Sequence, residues 1–255
     1  MSNIKFHVDN IADYTLTLAT SEASGYEKEF MLDRRLATYW KATTGGTQDI
    51  EIDLGADTAV DYILIYADLD IDDTVTVYYD DNAGYSSPIQ ADSEVITVTG
   101  WQVVKLSFTE VSADDRYWRI RIVPDAAAPS CATVFIGSEY EITIRFNYGC
   151  ILEEKNYSGV KVVNSYGGQR GASRQSEPRN IWKFFYETLD ATNKGKLDSI
   201  LALTNGAQYP FYYLDEDSNY HYVRWITAGL NAVERFDQLY DTGEILLEQE
   251  LGSPV

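Results

Sequence analysis

Asp33-Arg-Arg-Leu-Ala-Thr-Tyr-Trp40 and, after a short gap, Gln48-Asp-Ile-Glu-Ile-Asp-Leu-Gly55 form the stretch that decides the fold. An acidic residue opens a loop, and a Trp follows seven positions later. Ile50, Ile52 and Leu54 then alternate with Asp49, Glu51 and Asp53. Because successive side chains of a strand point to opposite faces, that alternation predicts a half-buried strand with one apolar row. Gly55 closes it where the chain must turn.

Outward from this strand the same grammar repeats. Asn10–Ser21 supplies an earlier strand. Val60–Ile65, Thr74–Tyr79, Val95–Thr99, Trp101–Phe108, Tyr117–Val123 and Thr133–Gly137 supply later ones. They are rich in β-branched and aromatic residues and separated by turn signals such as Asp80-Asp-Asn-Ala-Gly84. Short strands at near-regular spacing predict a sandwich or jelly roll. The alternation places Trp40, Ile52, Leu54, Ile63, Ile65, Trp118 and Ile120 inside it, since a one-residue slip would turn each row to solvent.

The chain has 255 residues and a net charge of −20, with ten basic and twenty-five acidic groups before residue 146 and ten and fifteen after it. Such a surface repels phosphate backbones and makes nucleic acid a poor partner, while also serving solubility. No segment has the length and apolarity of a membrane span, and Met1-Ser-Asn-Ile-Lys-Phe6 has no signal-peptide core, so synthesis in a cytoplasm is expected. Cys131 and Cys150 sit in no metal-ligand spacing and read as buried thiols.

After Gly137 the text changes. Tyr140–Tyr148 alternates in part. Residues 155–180 are rich in Gly, Ser and Asn and carry Lys155, Lys161, Arg170, Arg174 and Arg179. A helix is expected over about 179–203, from Ile181, Phe184, Phe185, Thr188 and Leu189 at helical spacing and Leu197, Ile200 and Leu201 further on. Asn193-Lys-Gly195 offers a break, and Asn205-Gly206 a terminus. Strands return at Pro210–Leu214, Tyr220–Ile226 and Leu239–Leu251, giving a division into 1–140 and a smaller β-rich domain over 141–255.

The loop-then-strand pattern of Asp33, Thr38 and Trp40 followed by Ile50-Glu-Ile-Asp-Leu-Gly55 resembles the opening of a discoidin-like domain, the coagulation-factor C-type, galactose-binding-like sandwich. Val60-Asp-Tyr-Ile-Leu-Ile65 and Arg116-Tyr-Trp-Arg-Ile-Arg-Ile122 continue the resemblance, which covers roughly residues 9–140. It implies an inward-packed Trp40 and a ligand, where there is one, at loops on one end of the sandwich. The order of elements after Phe135-Ile-Gly137, through Asn180-Ile-Trp-Lys-Phe-Phe185 and Tyr209-Pro-Phe-Tyr-Tyr-Leu-Asp215 to Leu246-Leu-Glu-Gln-Glu-Leu251, is similar to tailed-phage structural proteins that join a discoidin-like module to a tail-assembly segment. That similarity implies a distal tail or baseplate component of a virion, contacting other tail proteins and copies of itself. The alternative from another class is a carbohydrate-binding or adhesion module for host-surface glycans.

Few residues carry chemistry. His7 and His221 are the only histidines, no nucleophile or nucleotide motif occurs, and neither an enzyme nor a cofactor is expected. The acidic runs Asp68–Asp73 and Asp80–Asn82 lack the spacing of a calcium loop and read as solvated turns. Asp80, Asn82 and Tyr85 share one loop and are the candidates for a sugar, two to hold hydroxyls and one to stack. Arg170, Arg174 and Arg179 have two readings: a mobile surface loop, or a subunit contact in which they fork onto carboxylates of a neighbouring acidic copy.

Overall fold

The computed structural model describes residues 3–9, 14–111, 116–144, 154–156, 160–164, 170–174, 179–227, 229–230 and 232–250. The protein is mainly β, and its residues divide into two compact units, His7–Tyr140 and a second that combines Met1–Phe6 with Glu141–Leu251. The chain begins with β1 (Ile4–His7) and then builds the first unit from β2 (Thr15–Ala19), β3 (Trp40–Lys41), β4 (Gln48–Asp53), β5 (Val60–Leu69), β6 (Thr74–Asp80), β7 (Ile89–Val95), β8 (Gly100–Val111), β9 (Tyr117–Val123) and β10 (Ser130–Gly137).

Two antiparallel sheets result, with strand orders β2-β4-β9-β6-β7 and β3-β10-β5-β8. They face one another across a single core. Ile50, Ile52, Val75, Val77, Trp118, Ile120 and Ile122 enter it from the first sheet; Trp40, Ile63, Ile65, Val104, Leu106, Val134 and Ile136 enter from the second. This is the discoidin-like sandwich, with all seven expected core residues buried. Register explains the alternation. Ile50 lies opposite Ile120 and Ile52 opposite Trp118 on the inner face, while Glu51 lies opposite Arg119 and Asp49 opposite Arg121 on the outer one.

The loop residues of the opening stretch also have physical reasons. The Asp33 carboxylate accepts from the Arg35 N–H at 2.8 Å and the Thr38 hydroxyl at 2.6 Å, closing the turn that aims Trp40 inward. Trp40 is fully buried, and its indole N–H donates to the Ser21 carbonyl at 2.9 Å, so its one polar atom is satisfied. Gly55 sits at φ +75°, where its N–H meets the Asp53 carboxylate at 2.8 Å, a conformation that penalises a side chain.

The second unit holds β11 (Glu139–Ile142), β12 (Glu154–Asn156), β13 (Val160–Asn164), β14 (Arg170–Arg174), β15 (Arg179–Phe184), β16 (Leu189–Asp190), α1 (Ala191–Leu203), β17 (Phe211–Leu214), β18 (Tyr220–Trp225), β19 (Val233–Phe236), β20 (Leu239–Asp241) and β21 (Ile245–Gln249). Its main sheet has the order β11-β1-β17-β18-β21-β15-β12. Phe6, Trp182, Phe184, Phe211, Tyr213 and Trp225 are buried in it, with ring centroids 5.5–6.3 Å apart.

Three expectations need correction. Residues 1–140 are not one domain: Ile4–Phe6 belong to the second unit, so in sequence the sandwich is an insertion between β1 and β11. The helix over 179–203 is half strand. Trp182, Phe184 and Tyr186 are buried in alternation, and β15 pairs with β21, so the period of two won over the helical spacing read from the same residues. Only Ala191–Leu203 is helical, started by Asp190, whose carboxylate accepts the Asn193 N–H at 2.7 Å, and ended by Asn205 and Gly206 at positive φ. Val95–Thr99 is not a strand of its own, since β7 ends at Val95. Ile96 instead bonds to the preceding turn, giving its N–H to Asp73 at 2.8 Å and accepting from Asp72 at 2.9 Å. Cys131 is buried, while Cys150, residues 10–13 of the first expected strand and residues 145–148 lie outside the described residues.

Candidate functional site

The structure brings Asp80, Asn82 and Tyr85 into one loop and engages a side-chain oxygen of each in a bond within the protein. The buried Asp80 carboxylate accepts the backbone N–H of Asn82 at 2.9 Å and of Ser87 at 3.0 Å. The Asn82 side-chain oxygen accepts from Gly84 at 2.8 Å. Tyr85, at φ +46°, donates its hydroxyl to the Trp118 carbonyl at 2.5 Å, and the Arg119 guanidinium lies 3.9 Å from the centre of its ring. These oxygens thus hold the loop.

Burial pushes the Asp80 carboxyl up, but the N–H donors of Ser87 and Asn82 outweigh it and leave it below its usual value. A folded-state depression contributes stability that is present above the ordinary carboxylate range, about pH 4, and lost as pH falls through the lower folded value. Following the Ser87 amide by NMR should therefore show a transition with its midpoint below that range. A midpoint at or above it would contradict this account of the loop.

The other acidic turn is also internally held. Asp73 is buried, and its two carboxylate oxygens accept from Asp70 N–H at 2.8 Å and Asp125 N–H at 2.7 Å. Among the described residues, no three His, Cys, Asp or Glu side chains gather as metal ligands.

The outward surface of the four-stranded sheet is different. Its pairing aligns Lys41 with Ser130, Ser130 with Asp68, and Asp68 with Trp101, one residue from each strand in a single cross-strand row. Tyr66 stands two residues before Asp68 on the same face, and Tyr39 two before Lys41. The rings run in series: Tyr66 to Trp101 at 5.2 Å between centroids, Trp101 to Tyr39 at 5.4 Å, and Tyr39 to Tyr26 at 4.9 Å. Tyr39, Tyr66 and Trp101 are half-buried, and Tyr26 retains 36% of its surface.

Asp68 lies exposed beside these rings, and among the described residues no N–H or O–H donates to its carboxylate. Partial burial and then the nearby Asp70 carboxylate raise its pKa, with Lys41 opposing them. Side by side are apolar ring faces, a carboxylate that accepts from no described residue and an ammonium. Such a surface can stack on the C–H face of a ring and exchange hydrogen bonds with its hydroxyls. Sequence reading missed it because its residues are spread from Tyr26 to Trp101 and only strand pairing assembles them.

Of the three candidate interface arginines, Arg179 pairs with Glu248 across β15 and β21 at 3.3 Å, within its own unit. Arg170 and Arg174 stand at the two ends of β14, opposite Asn164 and Val160 of β13. His221 lies 4.4 Å from the Trp182 ring between centroids, with Nε2 2.7 Å from Asp215.

No protein-family model matches this chain, and no curated protein matches it. Solved structures do. Chitosan-binding module 1 of a chitosanase/glucanase from Paenibacillus sp. IK-5, solved as a selenomethionine-labelled mutant, is similar at 17% identity over 52% of this chain and 99% of that one, with a TM-score of 0.44. A Clostridium perfringens CBM32 module in complex with GalNAc-β-1,3-galactose is similar at 16% identity over 51% and 99%, with a TM-score of 0.43. A family 32 module from the same organism in complex with galactose is similar at 15% identity over 51% and 98%, with a TM-score of 0.42.

Proposed function

We propose that the sandwich unit binds glycans on the outer face of its four-stranded sheet. The observation that carries this reading is the series of four rings, Tyr66, Trp101, Tyr39 and Tyr26, beside the Asp68 carboxylate. The rings supply stacking faces, Asp68 accepts hydroxyl protons, and the chain works by holding its ligand without turnover. Trp101 touches both Tyr39 and Tyr66, so it is the centre of the surface. Trp101→Ala should weaken binding on a glycan array by about thirtyfold, the effect of losing an aromatic anchor worth roughly 2 kcal/mol. Unchanged binding by a variant with the parent's circular dichroism would refute the assignment.

A second reading concerns the unit that carries the sandwich: a structural subunit of a phage tail tip or baseplate, placed in the virion against other tail proteins and copies of itself. One observation favours it. β13 and β14 form a two-stranded sheet with no third strand among the described residues, and a lone hairpin is marginal in water. A neighbouring copy would supply what it lacks. Under this reading the parent sediments as an oligomer and the Arg170→Glu, Arg174→Glu double variant as a folded monomer. Identical sedimentation of the two would count against the contact.

A further inference from the structure

We propose that the aromatic surface takes a chain of linked sugars rather than one terminal sugar, and that Asp68 confines it to glycans without acidic groups. The inference rests on the glycan reading above and specifies its ligand. A pyranose is about as wide as one six-membered aromatic ring, so a single sugar covers one ring of the series. Here four rings follow one another with steps of 5.2, 5.4 and 4.9 Å, from Tyr66 on β5 through Trp101 on β8 and Tyr39 to Tyr26. The rings meet at 36°, 71° and 39°, so they share no common plane and one sugar lies flat on only one of them. Tyr26, at the end of the series, is the most open of the four.

Charge sets the second restriction. Asp68 lies in the row that Trp101 ends, and its carboxylate accepts no bond from the described residues. Asp70 adds a second negative charge close enough to act on it, against the single Lys41. Lys41 stands two strands from Asp68, with Ser130 between them, and makes no ion pair with it. A uronic acid or sialylated sugar over Trp101 would bring a like charge to Asp68, whereas a hydroxyl or amine would give that carboxylate the donor it lacks.

Calorimetric titration of the intact protein with neutral, 2-amino and uronic-acid oligosaccharides, each from one to four sugars long, tests both parts. Affinity should rise at least tenfold from monosaccharide to trisaccharide in the neutral or 2-amino series. Tyr26→Ala should abolish that gain. Uronic-acid oligosaccharides should bind at least tenfold more weakly than neutral ones, and Asp68→Asn should narrow the difference. Equal affinity at every length overturns the chain-reading part, and uronic acids bound as tightly as neutral sugars overturn the role of Asp68. Failure of every series at every length overturns the glycan reading, and this inference with it.

Discussion

Trp118→Ala should destabilise the sandwich by about 3–5 kcal/mol, the range for truncating a large buried aromatic. Trp118 is fully buried opposite Ile52, stacks on Phe108 at 5.3 Å and meets Tyr79 at 5.4 Å. The cavity would open at the Trp118 end of the apolar row of β9, which Ile120 and Ile122 continue, in a core packed too closely to refill it at no cost. The loss should appear as a lower urea midpoint with little change in slope. A shift of less than about 1 kcal/mol would mean that the two sheets do not share this core.

Phe6→Ala should have a comparable effect elsewhere. Phe6 comes before the sandwich in sequence, yet it is fully buried among Phe211, Tyr213 and Trp225, at 5.6–6.2 Å between ring centroids. Its truncation should cost about 3–5 kcal/mol and speed hydrogen exchange in β17 and β18, while β4 and β9 keep their protection. Faster exchange in β4 and β9 instead would place β1 with the sandwich and contradict the division of the chain.

These two residues mark what was legible in the sequence. Trp118 sits in Tyr-Trp-Arg-Ile-Arg-Ile, where alternation alone separates core from surface. The same alternation announces the outer ion pairs of the partner strand, Glu51 with Arg119 at 2.6 Å and Asp49 with Arg121 at 2.7 Å. Local period is sufficient there because each strand has one wet face. Phe6 carries no such signal. Its strand is four residues long, and its neighbour β17 in the sheet lies about two hundred residues further on, a pairing chosen by tertiary packing.

The segment 179–189 failed for a related reason. Its aromatics satisfy a helical spacing and a period of two at once, and only the presence of β21 beside β15 decides between them. The candidate site shows the same limit. Asp80, Asn82 and Tyr85 are close in sequence, but Asp80 and Asn82 bond within their own loop and Tyr85 bonds to Trp118 on β9. The outer aromatic strip was invisible because twenty tyrosines dilute any single one, and because Tyr66 and Trp101 become neighbours only through the β5–β8 register.

The central claim is that the sandwich holds a glycan on the outer face of the β3-β10-β5-β8 sheet, and amide and indole chemical-shift mapping during titration with a neutral oligosaccharide tests it most directly. The account predicts saturable shifts at Tyr26, Tyr39, Tyr66, Asp68 and the Trp101 indole, with Asn82 and Tyr85 unmoved. Shifts confined to the loop around Asn82 and Tyr85, or none at Trp101 at a ligand concentration that saturates binding, would contradict it.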